Sequence, residues 1–313
     1  MPTENQPILK LRDAKAMARH LIEHHFGEKP RRILHKSSGL SNFVFIVDQS
    51  KDKYLVRLHP SPTKITTYMK EQWAISEARK IGVPVPEILQ VGNEVVPHPY
   101  MISREVRGIE ATYHPDRLQI IFEMGRYAAL INSISTTGFG DTFDWSNNQL
   151  SKNNTWNEFL EKELQLESRL KIFESYRIFS PPQLKKLNSI LKKNGGKNLK
   201  PFLNHGDMRL KNVIVDDKGK IIAIVDWEYC ISSLVPYWEL SIALHDLSID
   251  EKQKFLQGYD LSAKKFASTA LLIKAINIIN YAPKIESLAN ENNKEQLDLH
   301  RIRLGGVLDL YSI

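Results

Sequence analysis

Cysteine is almost absent from this chain: Cys230 is the only one in 313 residues. No disulfide framework can form, which excludes the stapled scaffolds of small secreted proteins and fits a reducing compartment. No apolar run approaches membrane-spanning length, and Met1 to Arg12 lacks the apolar core of a signal peptide, so a cytoplasmic chain without a membrane partner is expected. Internal repeats, low-complexity tracts and zinc-ligand spacings are also missing. The net charge of +7 invites a nucleic-acid partner, but the lysines are scattered. Their densest group, between Lys185 and Lys200, spans a helix and its exit, as a solvated face does. With no RNA- or DNA-binding module legible, no nucleic-acid partner is expected.

What is present is an ordinary globular balance, 42% hydrophobic and 25% charged, which rules out disorder as the class. The first third alternates helix and strand. Apolar residues at helical spacing run from Asp13 to Phe26 and stop at Gly27. Short β-rich runs follow at Phe43 to Val47 and Tyr54 to Leu58, then a helix from Thr66 to Ile81. Gly82 and the prolines of Val83-Pro84-Val85-Pro86 end that helix. Tyr100 to Val106 reads as a strand, and Gly108 as a boundary. Beyond it the pattern is mostly helical. Leu118 to Ser133 is one helix, and Thr155-x-x-Glu158 is a capping box opening a second that runs through Leu164 and Leu170. Ser180-Pro181-Pro182-Gln183 opens a third.

Residues 203–228 break this helical stretch. They read Leu-Asn-His205-Gly206-Asp207-Met-Arg209-Leu-Lys211-Asn212-Val-Ile-Val, then the hairpin turn Asp216-Asp217-Lys218-Gly219, then an apolar strand ending in Asp226-Trp227-Glu228. Each piece alone is common; their joint order and spacing are not accidental. The segment resembles the catalytic segment of the aminoglycoside and choline kinases, and is similar to the His-Arg-Asp and Asp-Phe-Gly elements of protein kinases. The resemblance implies an α+β, protein-kinase-like two-lobe fold, with a small sheet-rich nucleotide-binding lobe over 1–106 and a larger helical lobe over 107–313. It implies transfer of the γ-phosphate of ATP, with GTP as the alternative donor, to a hydroxyl of a small molecule, with Mg2+. Phosphoryl transfer asks a protein mainly for positioning and charge neutralisation. In that scheme Asp207 faces the acceptor hydroxyl, Asn212 and Asp226 hold the metal from neighbouring ends of the hairpin, and Arg209 lies near the transferred phosphate.

Upstream matches extend the resemblance to about residues 30–250. Ser37, Ser38 and Gly39 lie in the loop that covers the nucleotide. Arg57, in Tyr-Leu-Val-Arg-Leu, stands where the family places the cation that grips the α- and β-phosphates. Glu71, eleven residues before Gly82, would pair with Arg57; Glu77 is its competitor. Arg104 and Val106 supply main-chain contacts to the adenine. Arg57 to Gly108, with Thr137-Gly-Phe-Gly140, is most like the hygromycin-type kinases.

From Asp226 to Glu251 there are six acids and no lysine or arginine. In the resembled family this region borders the acceptor, so Glu228, Glu239 and Asp246 are expected to hold a cationic amino-sugar, as in antibiotic resistance. Trp227, Tyr229, Tyr237 and Trp238 are candidates for stacking on a sugar ring. A metabolic kinase for choline, homoserine, a methylthio-sugar or a fructosamine uses the same machinery, and a pseudokinase without turnover is the non-enzymatic alternative. Nothing in the sequence sets an oligomeric state.

Overall fold

The computed structural model describes residues 9–37, 42–50, 52–142, 144, 153–193 and 200–309. Ten strands lie among them: β1 (Arg32–Lys36), β2 (Phe43–Gln49), β3 (Asp52–Leu58), β4 (Ile88–Gly92), β5 (Tyr100–Arg104), β6 (Ile109–Glu110), β7 (Phe202–Asn204), β8 (Val213–Val215), β9 (Ile221–Ile224) and β10 (Ile231–Ser233). The helices are α1 (Leu11–Phe26), α2 (Ile65–Lys80), α3 (Arg117–Ile131), α4 (Trp156–Lys162), α5 (Leu166–Ser175), α6 (Pro181–Lys193), α7 (Tyr237–Ala243), α8 (Ile249–Gly258), α9 (Ala263–Asn280), α10 (Ala282–Asn290) and α11 (Lys294–Asp309). They form two compact units, residues 1–110 with 213–228, and residues 111–212 with 229–313.

The first unit is built on an antiparallel sheet in the order β1-β2-β3-β5-β4. Successive side chains of a strand point to opposite faces. Tyr54, Val56 and Leu58 of β3 therefore enter a core with Phe45, Tyr100, Ile102 and the α1 residues Leu21 and Ile22. Arg57, between Val56 and Leu58, is directed to the other face. The segment 213–228 joins this unit because β6 pairs antiparallel with β8, which pairs with β9 in a hairpin. The two-lobe division read from the sequence is a single cut after residue 106. The compact units differ from it by this returning hairpin and by the few residues of β6.

The second unit is mainly helical, with β7 and β10 as its one antiparallel strand pair among the described residues. Its core gathers Trp156, Phe159, Phe173, Trp238, Ile276 and Ile279. α3 and α8 cross with no room for side chains between them. A Cβ on Gly125 would lie 2.1 Å from the Phe255 carbonyl oxygen, and one on Gly258 1.9 Å from that of Phe122. The expected capping box forms, Thr155 accepting from the Glu158 amide and Glu158 from the Thr155 amide. The single helix expected beyond it does not. α4 stops at Lys162, Gln165 turns into the left-handed region (φ 55°), and α5 begins at Leu166. No helix among the described residues is long and apolar enough to cross a membrane.

Candidate functional site

In the first unit, β3 and α2 bring together the two residues expected to meet. Arg57 Nη2 donates to Glu71 Oε2, and the pair is almost sealed from water. The Glu71 side chain is only 2% exposed, so its charge depends on this partner. Tyr68, one helical turn before Glu71, lies under the guanidinium at 5.0 Å and donates its hydroxyl to Asn42 Oδ1 at 2.9 Å. Burial alone would depress the Arg57 pKa, but Glu71, Tyr68 and Asp226 outweigh it and hold the guanidinium above its ordinary range. Burial pushes the Glu71 carboxyl up, and Arg57 opposes that. Glu77, the competing partner, instead bonds Lys80 on an exposed surface.

Asp226, two residues past β9, sits in the left-handed region at φ 66°. A non-glycine residue held there is strained, and such strain collects at functional positions. Its field and that of Glu228 both reach Glu71. Glu228, expected at the acceptor, therefore belongs with Arg57, Glu71 and Asp226 in the first unit. Ser37 is exposed, while Ser38 and Gly39 lie outside the described residues. Arg104 spends its amide on the Glu87 carbonyl oxygen at 2.9 Å and its guanidinium on Glu87 and Asp52. Val106, by contrast, makes no backbone hydrogen bond among the described residues.

In the second unit, β7 delivers the chain into His205-Gly206-Asp207. Gly206 takes φ 78°, and a Cβ there would lie 2.0 Å from the Tyr229 carbonyl oxygen, so only glycine fits this approach. Asp207 is 3% exposed and fully engaged. Arg209 bonds its Oδ1, Asn212 Nδ2 donates to its Oδ2 at 2.7 Å and to its backbone oxygen at 2.8 Å, and Lys211 stands 3.2 Å from Oδ2. Because the Asn212 Nδ2 is committed to Asp207, the amide turns its oxygen away from that carboxylate. Asn212 immediately precedes β8, and Asp226 follows β9 by two residues. Among the described residues no three His, Cys, Asp or Glu side chains gather as a metal-binding group.

Glu239, read from the sequence as an acceptor contact, has no exposed surface at all. It lies at the start of α7 beneath the Asp207 loop, where the His205 amide donates to Oε2 at 2.6 Å and the Gly206 and Met208 amides face the same carboxylate. That corrects its role: it anchors the backbone carrying Asp207 and cannot touch a ligand. Asp246 is half-exposed but lies between Arg303 (3.2 Å), His245 (3.7 Å) and Arg209 (3.9 Å). Trp227 and Trp238 are both buried, which removes them as sugar-stacking rings, whereas Tyr229 is exposed. Tyr68, Lys211 and the anchoring use of Glu239 were not read from the sequence. The first two carried a signal, being three residues before Glu71 and four after Asp207.

Burial pushes the Glu239 carboxyl up to about 7, against the opposing pull of the His205 amide. The folded protein therefore holds this proton more tightly than the unfolded chain. The stability it lends is complete below about pH 4.5 and is lost as pH rises to about 7, a total on the order of 3 kcal/mol. Glu239→Gln cannot ionise, so its stability should fall less than that of the wild type between pH 5 and 7.5. Denaturant midpoints across that range measure this, and parallel profiles would remove the assignment.

A model of the phosphotransferase enzyme family matches residues 32–270. No curated protein matches the chain. Among solved structures, the aminoglycoside phosphotransferase APH(4)-Ia is similar with a TM-score of 0.68 at 16% identity, covering 95% of this chain and 99% of that one. A putative aminoglycoside phosphotransferase from Ralstonia eutropha JMP134 is similar with a TM-score of 0.62 at 15% identity, covering 95% and 96%. APH(2")-IIia, solved with GDP and kanamycin, gives 0.64 at 11% identity, covering 96% and 99%.

Proposed function

The chain belongs to the phosphotransferase enzyme family and has the protein-kinase-like fold of the aminoglycoside kinases, and from that premise we propose that it moves the γ-phosphate of ATP onto a hydroxyl of a small molecule. The observation that carries this reading is Asp207: a buried carboxylate on a loop anchored from below by Glu239, with two cations and the Asn212 amide around it. A carboxylate so fixed orients an acceptor hydroxyl and takes its proton as the oxygen attacks. Arg209 and Lys211, the two cationic partners of Asp207, both reach solvent, and Arg209 lies near the transferred phosphate. Arg57, steadied by Glu71 and Tyr68, holds the α- and β-phosphates. The exposed Ser37 is assigned to the phosphates, and the uncommitted main chain of Val106 suits the adenine better than that of Arg104.

The donor set also suits magnesium, which takes oxygen ligands and needs few from protein. Asn212 and Asp226 would each supply one, the amide by its uncommitted oxygen. When bound, the ion neutralises charge on the phosphates. Asp226→Asn should raise the magnesium concentration needed for half-maximal turnover by about tenfold or more, since a hard cation loses a charged ligand. A wild-type magnesium response in that variant would take Asp226 out of the site.

APH(4)-Ia has been solved as a ternary complex with AMP-PNP and hygromycin B, which supports ATP as donor here and an amino-sugar as acceptor. The GDP complex of APH(2")-IIia keeps GTP as the second donor. A metabolic kinase is the second reading, favoured by one observation: the acids that were to hold a polycation are engaged within the protein. Glu239 is buried, Asp246 meets Arg303, and Glu251 bonds Arg117 at 2.8 Å and caps α8. We place the chain in the cytoplasm, where its nucleotide and magnesium are abundant.

A further inference from the structure

The second unit contains a cavity of about 720 Å³ among α7, α8 and α9, with Arg303 of α11 on its wall. Close-packed interiors leave few voids larger than a water molecule, and this volume is instead in the range of small-molecule sites. No residue of the Asp207 loop lines the cavity, and neither does Asp246. The wall is largely apolar, with Leu244, Leu256, Phe266 and Ile273 among its residues. Ile249, in the first turn of α8, also lines it and is 83% exposed, so it stands at the opening.

The charge on this wall is of one sign. Lys252, Lys274 and Arg303 belong to it, and no aspartate or glutamate does. Arg303 already bonds Asp246 Oδ1 at 3.2 Å, and Lys274 is buried. Lys252 lies three residues beyond Ile249, on the same face of α8, and is half-buried. It makes no ion pair among the described residues, and burial pulls its pKa below the ordinary lysine range. An ammonium so placed gains from an incoming anion and resists a second cation. His245, also on the wall, adds no charge near neutral pH, since burial and then Arg303 lower its pKa to about 4. We propose that this cavity is a binding site for a small apolar carboxylate, its charge on Lys252 at the opening and its body against Leu244, Leu256 and Phe266. One ammonium without an ion-pair partner answers one negative charge, and the body displaces water from the apolar wall. A cation would meet Lys252 with no carboxylate lining the cavity to receive it. The site is additional to the one around Asp207, and it does not depend on the phosphotransferase reading.

Three matched probes test this: 4-phenylbutanoate, 4-phenylbutanol and 4-phenylbutylamine, which share an apolar body and differ in the charge of the head group. They are titrated calorimetrically into the full chain without nucleotide. The carboxylate should bind at least about tenfold more tightly than the amine, a difference of about 1.4 kcal/mol, with the alcohol between them. Lys252→Gln should bring the carboxylate level with the alcohol, and Lys252→Glu should reverse the order of carboxylate and amine. Ala270→Phe, which places a ring in the cavity, should weaken all three probes. Thermal melting of each variant checks that it folds, and the two substitutions at the half-buried Lys252 decide the matter if Ala270→Phe does not fold. Equal or tighter binding of the amine, no binding of the carboxylate at millimolar concentration, or a carboxylate affinity unmoved by both Lys252 variants overturns the proposal. Because the titration contains no nucleotide and reads no transfer, either result leaves the phosphotransferase reading where it stands.

Discussion

Replacing Asp207 with alanine is expected to lower kcat by about 10²–10⁴ while leaving nucleotide affinity nearly unchanged, the loss typical of removing a positioned acid–base group. The local structure explains why the effect should fall on turnover. Asp207 is held by Arg209, Lys211 and Asn212 on a loop whose backbone is fixed from below by Glu239. Its surroundings are those of a carboxylate kept in one orientation. Asp207→Asn preserves the shape and removes the charge, so it separates lost chemistry from a disturbed loop. Both variants should lose turnover and some thermal stability, alanine the more, because asparagine keeps one acceptor oxygen for Arg209, Lys211 and Asn212 whereas alanine keeps none. Retention of more than about a tenth of wild-type kcat in either variant would move the proton-accepting role to another residue.

The second large effect is expected at Arg57 and Glu71. Removing one member of a buried ion pair leaves an uncompensated charge, and such changes cost about 3–5 kcal/mol. Arg57→Ala strands Glu71, which has almost no solvent to turn to. Glu71→Ala strands a guanidinium that still has Tyr68 beneath it, so its cost should be smaller. Each change should also raise the nucleotide KM, by about tenfold or more, equal to 1.4 kcal/mol. The double variant should cost less than the sum of the singles, because the second substitution removes a charge already left alone. Denaturant unfolding and steady-state kinetics on the four members of the cycle measure both. Strict additivity would mean that the pair does not act as a unit.

Arg57 and Glu71 are legible through the resemblance, by their places in Tyr-Leu-Val-Arg-Leu and eleven residues ahead of Gly82. Strand alternation, which turns Arg57 away from the core residues Val56 and Leu58, agrees with that reading. The loop around Asp207 was legible for a different reason: its residue types follow one another in order, and the β8–β9 hairpin is local. Glu239 was misread because an acid in an acidic run looks solvated. Only the packing of α7 beneath the loop, fixed by contacts more than 30 residues apart, turns it inward. β7 and β10 are three residues each, too short for periodicity to register, and they find each other across the intervening chain. The break between α4 and α5 falls at Gln165, a residue with no turn preference, so no local signal marks it.

The central claim is transfer of a phosphoryl group from a nucleotide to a small-molecule hydroxyl by the Asp207 segment. Its most direct test is mass spectrometry of a mixed panel of anionic, neutral and cationic hydroxyl compounds incubated with the full chain, magnesium and ATP labelled with oxygen-18 in the γ-phosphate. The account predicts that at least one compound gains the mass of a single labelled phosphate, that ADP forms in equal amount, and that Asp207→Asn reduces the product to near background. Labelled inorganic phosphate as the only product, or a phosphorylated acceptor formed equally well by Asp207→Asn, would contradict it.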